Sequence, residues 1–119
     1  MARILVIDDE AVIRTVTAMF LRHEGHEVIE ASEGEEGLRL QREHEADLVI
    51  TDLLMPNVDG FELIRHLRRE YPKIGIIVVT GGGGEDYPLK ASGLGADKVL
   101  EKPFTREELL KAVDDLLSK

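Results

Sequence analysis

The sequence predicts an α/β domain of the (βα)5 type: five short strands in an open parallel sheet, each followed by a helix. Three observations carry this. The apolar runs are short, rich in Val, Ile and Leu, and continuous rather than alternating, as strands buried on both faces require. The segments between them place apolar residues at helical spacing. The crossovers are long enough for right-handed parallel connections.

The elements follow in order. Ile4-Leu5-Val6-Ile7 is the first strand. From Glu10 to His23, Val12, Ile13, Val16, Met19 and Phe20 recur at helical spacing, and Gly25 is a natural stop. Val28-Ile29 is a weaker second strand. Ser32 with Glu35 reads as a capping box opening a helix through Leu38 to about Glu43. Leu48-Val49-Ile50 is the third strand. Phe61, Leu63, Ile64 and Leu67 form a helical stripe between Gly60 and Glu70, with Pro72 beyond it as a terminator. Ile74 with Ile76-Ile77-Val78-Val79 is the fourth strand. A short fourth helix starts near Asp86, Tyr87 and Pro88 and is limited by Gly93 and Gly95. Val99-Leu100 is the fifth strand. Thr105 with Glu108 is a second capping box, opening a last helix along Leu109, Leu110, Val113, Leu116 and Leu117. No repeat, linker or second domain interrupts residues 1–119.

Composition narrows the function. The 119 residues are 43% hydrophobic, ordinary for a folded domain. Acids number 24 against 15 Lys plus Arg, a formal charge of −9. That balance speaks against a nucleic-acid binder, which presents a basic stripe, and against an anionic membrane surface. No apolar run approaches the roughly 18 residues of a membrane span, and the N-terminus is not a secretory signal. The absence of Cys excludes disulfides and thiol or Cys-metal chemistry. These points lead to the expectation of a small cytoplasmic domain.

Ligands of open α/β sheets bind beyond the C-terminal ends of the strands. There the first strand offers Asp8 and Asp9, the third Thr51 and Asp52, the fourth Thr80 and then Gly81 to Gly84, and the fifth Glu101, Lys102 and Pro103. Three acids, a hydroxyl and a lysine thus converge on one rim. Two carboxylates ~5 Å apart repel by roughly 3 kcal/mol at an effective dielectric near 20. Lys102 supplies one counter-charge and a divalent ion the rest. All-oxygen ligation favours Mg²⁺, Mn²⁺ or Ca²⁺, and few protein ligands with completing waters suit Mg²⁺ best. Carboxylate-held metal beside Lys and Thr is equipment for phosphoryl transfer. One carboxylate is then the nucleophile, although spacing alone does not say which.

At these residues the sequence resembles the receiver domain of two-component response regulators. The likeness runs from Arg3 to about Leu117. Its motifs are Ile7-Asp8-Asp9-Glu10, the run Asp47 to Pro56 with Asp59-Gly60, Thr80, Gly95-Ala96-Asp97, and Lys102-Pro103-Phe104. The resemblance implies a doubly wound, flavodoxin-like fold, close to the chemotaxis regulators, with strand order 2-1-3-4-5. It implies that Asp52 is the phospho-acceptor, served by a histidine kinase or a His-containing phosphotransfer protein. Asp9 and Asp52 would ligate Mg²⁺, or Mn²⁺ as a substitute, with the backbone carbonyl of Leu54, and Asp8 would act mainly through a bound water. Thr80 would hydrogen-bond the phosphoryl group and Lys102 would pair with it. The Lys102-Pro103 bond is expected to be cis. The whole chain would be one receiver without an output domain. It would be a switch rather than a turnover enzyme, catalysing its own phosphorylation and slow autodephosphorylation. It would act through the face of the fourth strand, fourth helix and fifth strand on a downstream protein or a fused output domain.

Three positions depart from the family pattern. Val99 stands where an aromatic switch residue is common. Thr80 is followed by four glycines, Gly81 to Gly84, rather than Ala. Leu54 and Gly82 occupy the positions that tune water access to the acyl phosphate. These suggest a switch that orders the Gly81–Gly84 loop and the fourth helix instead of turning an aromatic ring. The glycine run is read as a loop rather than a phosphate cradle, since no Lys-Ser/Thr follows it. His23, His26, His44 and His66 are read as surface residues. Two other classes fit less well. An aspartate-nucleophile phosphatase lacks a cap insertion here, with Glu10 a poor second Asp of a D-x-D site. A flavin-type cofactor site lacks a phosphate loop after the first strand.

Overall fold

The computed structural model describes residues 2–55, 58–81, 93 and 95–118, with 54–55 and 58–59 given by their backbone. The elements are β1 (Arg3–Ile7), α1 (Ala11–His23), β2 (Glu27–Ala31), α2 (Gly34–His44), β3 (Leu48–Asp52), β4 (Leu54–Met55), β5 (Val58–Asp59), α3 (Gly60–Glu70), β6 (Gly75–Thr80), β7 (Lys98–Glu101) and α4 (Arg106–Leu117). Five strands form one parallel sheet in the order β2-β1-β3-β6-β7. That is the expected 2-1-3-4-5 order, counting only the sheet strands. β4 and β5 make a separate antiparallel pair, which the sequence reading did not anticipate.

Strand alternation divides the core in two. Leu5, Ile7, Val49, Ile76 and Val78 pack in one cluster with Leu63, Ile64 and Leu67 of α3. Ile4, Val6, Leu48, Ile50, Ile77 and Val79 pack in the other with Ala18 and Leu21 of α1 and Leu109 and Val113 of α4. Successive side chains of a strand point to opposite faces, so continuous apolar runs feed both layers. Helices therefore cover both sides of the sheet.

Local details hold these layers in register. Gly60 begins α3 directly against the chain after β3; a Cβ there would lie 2.1 Å from the Leu53 carbonyl oxygen. Arg68 of α3 fastens the lower edge. Its guanidinium donates to the carbonyls of Gly95, Pro72 and Ile74 and to Asp97 Oδ2 at 2.7–3.1 Å. Asp97 Oδ2 also accepts from the Ile76 N–H at 2.8 Å. The last helix opens with the expected capping box of Thr105 and Glu108.

Two expectations need correction. Ser32 does not cap α2 with Glu35. The N-cap is Glu33, with no side-chain cap, and Glu36 reaches back to the Ser32 N–H at 2.7 Å. The helix starts two residues past Ser32, so Glu36 rather than Glu35 meets the Ser32 N–H, and Ser32 Oγ donates to the same carboxylate at 3.3 Å. In α1 the buried residues are Thr17, Ala18 and Leu21, whereas Val12, Val16 and Met19 are 76%, 39% and 59% exposed. The small Ala18 lets the helix lie against the sheet, and most of the apolar stripe read from sequence turns outward. Gly82 to Gly84 and the expected fourth helix around Asp86, Tyr87 and Pro88 lie outside the described residues, as does Pro56. Among the described residues, no helix is long and apolar enough to cross a membrane.

Candidate phosphoryl-acceptor site

Parallel pairing fixes the rim. Ile7 is level with Thr51 and with Ala31, Asp52 with Val79, and Thr80 with Glu101. The residues that leave β1, β3, β6 and β7 at their C-terminal ends therefore emerge side by side. The Lys102 N–H donates to the Thr80 carbonyl at 2.7 Å, and the Leu53 N–H to that of Val79 at 3.0 Å. These bonds extend the sheet one step into the site. The Lys102-Pro103 bond is cis, as expected.

Asp8, Asp52 and Thr80 are buried, at 5%, 4% and 2% exposure. Burying two carboxylates is costly unless they are paired and hydrogen-bonded. Both conditions are met. The Lys102 ammonium donates to Asp52 Oδ2 at 2.8 Å and stands 3.3 Å from Asp8 Oδ2. Asp8 Oδ1 accepts the Glu10 N–H at 2.9 Å, and the Asp8 carbonyl accepts from Arg14 at 2.7 Å. Burial nonetheless raises the Asp8 carboxyl above the ordinary Asp value, against the Glu10 N–H and the Lys102 charge, which lower it. At Lys102, burial disfavours the ammonium. Hydrogen bonds to Asp52 and Glu10 outweigh that and hold its pKa above the usual lysine value.

The structure brings Asp8, Asp52, Thr80 and Lys102 to one rim. Asp9 lies beside them and is exposed. Leu54 is placed by its backbone, paired with Asp59. Glu10 is the residue the sequence reading missed. Its Oε1 accepts from Lys102 Nζ at 2.8 Å. Among the described residues, Asp8, Glu10 and Asp52 offer carboxylate oxygens all within 4.8 Å of one another. An all-oxygen acidic set of that spacing fits a hard divalent cation such as Mg²⁺. The signal for Glu10 was its place in the run Asp8-Asp9-Glu10, two residues past the first acid.

A cleft of about 440 Å³ adjoins this rim, and it shares Glu10 and Lys102 with the site. Val12, Ile13, Val16, Phe20 and Phe104 line most of the rest, with Thr17 and Pro103. α1 contributes no acid to it, since the helix carries only Arg14, Arg22 and His23 as ionisable residues. The acidic site thus opens beside an apolar helix face.

The model of the response regulator receiver domain matches residues 4–114. Response regulator GtcR of Aneurinibacillus migulanus is 36% identical over 116 residues, covering 98% of this chain and 48% of that protein. The chain therefore spans about half the length of this curated relative. A receiver domain protein from Clostridium thermocellum has 37% identity and a TM-score of 0.94, with 99% of this chain and 95% of that one covered. A CheY-like receiver domain protein from Methanospirillum hungatei JF-1 has 30% identity and a TM-score of 0.94, covering 99% and 94% of the two chains. A match that takes in every strand of the sheet and all the rim residues makes this chain a member of the response regulator receiver domain family, the signalling phospho-acceptor module of two-component systems.

Proposed function

We propose that Asp52 accepts a phosphoryl group from a phosphohistidine of a histidine kinase or a His-containing phosphotransfer protein. The observation that carries this reading is the placement of Asp52. It is buried at the end of the central strand, with Lys102 Nζ on Oδ2 at 2.8 Å and Asp8 across the same ammonium. A nucleophilic carboxylate needs a cation to answer the charge that gathers on the transferring group, and Lys102 is fixed to do so. The buried Thr80 hydroxyl, on the adjacent strand, supplies the donor that follows the phosphoryl group.

In this reading Asp9 and Asp52 would hold Mg²⁺ or Mn²⁺ with the Leu54 carbonyl, with Asp8 assisting mainly through a water. The ion supplies neutralisation of the phosphoryl oxygens. The buried position of Asp52 shields the acyl phosphate from bulk water. The exposed Val12, Val16 and Met19 face, joined to the site through Glu10 and Lys102, suits the apolar side of a donor helix whose histidine must approach Asp52. The response passes from Thr80 toward the face of β6, β7 and the segment between them, to a downstream protein target or a fused output domain. The protein acts in the cytoplasm as a switch, returning to rest by slow autodephosphorylation.

Labelling with acetyl phosphate tests the acceptor. Wild type should take up Mg²⁺-dependent label, and Asp52→Asn should take up none while keeping its fold. Normal labelling of Asp52→Asn would overturn the assignment.

A further inference from the structure

The three ionic contacts of Lys102 are unequal. Its Nζ lies 2.8 Å from Asp52 Oδ2, 2.8 Å from Glu10 Oε1 and 3.3 Å from Asp8 Oδ2. An ammonium has three N–H donors and no acceptor; here it donates hydrogen bonds to Asp52 and Glu10, and Asp8 is a longer ion-pair contact. The Asp8 and Asp52 side chains are 7% and 5% exposed, whereas Glu10 is 57% exposed. A carboxylate that releases the ammonium must be hydrated instead. Water already reaches Glu10, while the other two would be left charged and buried. Glu10 is the contact that can be given up.

Its position is built for this. Glu10 is the N-cap of α1 yet makes no side-chain cap. An acid at that place ordinarily serves the free amides of the first turn. Here Asp8 Oδ1 holds the Glu10 N–H at 2.9 Å, and the side chain reaches Lys102 instead.

We propose that Glu10 is a positioning residue, which occupies in the unphosphorylated protein the Lys102 donor that a phosphoryl oxygen takes, and whose charge at the mouth sets how readily an anionic phosphodonor enters. This rests on the reading of Asp52 as acceptor. In the step concerned, an Asp52 carboxylate oxygen bonds to the phosphorus of acetyl phosphate and the bond from phosphorus to the acetate oxygen breaks. Acetate leaves with the electron pair, and no proton is transferred. Glu10 forms no bond in it and acts through Lys102 and through its charge.

Initial labelling rates against donor concentration test this in the full chain. Near neutral pH acetyl phosphate is a dianion and phosphoramidate carries one net negative charge. Glu10→Gln should lower the half-saturating acetyl phosphate concentration roughly two- to fivefold at low salt, as expected for one exposed charge, and change the saturated rate less. The shift should be smaller with phosphoramidate and fade at high salt. Glu10→Asp, which keeps the charge, should stay near wild type in half-saturation. Calorimetric Mg²⁺ affinity should fall in Glu10→Gln by no more than the same roughly two- to fivefold, and less at high salt, since the lost charge also attracts the cation. Equal half-saturation in Glu10→Gln and wild type, equal shifts for both donors, or a loss of Mg²⁺ affinity of about tenfold or more that persists at high salt would each overturn the proposal, the last by making Glu10 a metal ligand. If wild type labels and only these comparisons fail, the acceptor reading stands and this inference falls. If wild type takes no label, both fall.

Discussion

Replacing Gly60 with Ala puts a methyl group where the structure has backbone. The new Cβ would stand 2.1 Å from the Leu53 carbonyl oxygen and 2.8 Å from the Leu53 carbonyl carbon and Cα. Carbon–oxygen contacts settle at about 3.3 Å or more, so α3 and the chain after Asp52 must separate by roughly 1 Å. Overpacking of this kind costs about 1–3 kcal/mol, and here the obstacle is main chain, which cannot turn aside as a side chain does. Ala regains up to about 1 kcal/mol over Gly in a helix, less at its first residue. The net loss should be about 1–2 kcal/mol. In urea, with a slope of about 1–3 kcal/mol per molar, the midpoint should fall by about 1 M. Gly81→Ala is the matched control, because a Cβ at Gly81 meets nothing within 4 Å. It should stay within about 0.5 kcal/mol of wild type. A Gly60→Ala midpoint at or above wild type, or an equal fall in Gly81→Ala, would refute the close-approach argument.

Two further perturbations follow from the same geometry. Arg68→Ala removes the guanidinium that ties Gly95, Pro72, Ile74 and Asp97 together, and should cost roughly 2–3 kcal/mol in urea unfolding. Arg68→Lys should recover little, since one ammonium cannot span those acceptors; a loss below about 0.5 kcal/mol for Arg68→Ala would contradict the account. The Asp8 carboxyl, raised by burial, binds its proton more tightly folded than unfolded. Its charge therefore costs stability above the folded pKa, and the cost fades as pH falls through that value toward the ordinary carboxylate range. Without Mg²⁺, Asp8→Asn should be more stable than wild type at neutral pH, with the difference closing near pH 4. Lys102, raised above 10.5, stabilises the fold throughout the neutral range, and that contribution is lost only at higher, alkaline pH. Urea midpoints against pH check both signs, and an Asp8→Asn variant less stable than wild type at neutral pH would contradict the first.

The fold was legible because its strands are buried on both faces. Runs such as Ile4 to Ile7 and Ile76 to Val79 have no other use in a chain this short, and parallel order then brings Asp8, Asp52, Thr80 and Lys102 to one rim. What sequence could not show is how side chains beyond the strand ends turn. Glu10 sits at the N-cap of a helix, where an acid is unremarkable until Lys102 is seen 2.8 Å away. The Val12, Val16 and Met19 stripe has the spacing of a core face. Only packing shows that Ala18 and Leu21 take the sheet and leave most of that stripe to water. The β4–β5 pair is two residues per strand, too short for a period to register. Ser32 and Glu35 satisfied a capping pattern that the actual helix start shifted to Glu36.

The central claim is that Asp52 receives phosphoryl groups from phosphohistidine. A radiolabelled histidine kinase or His-containing phosphotransfer domain, mixed with this chain with and without Mg²⁺, tests it most directly. The account predicts Mg²⁺-dependent movement of label onto wild type and none onto Asp52→Asn. Label that stays on every histidine donor tried, or that reaches the Asp52→Asn variant as readily as wild type, would contradict it.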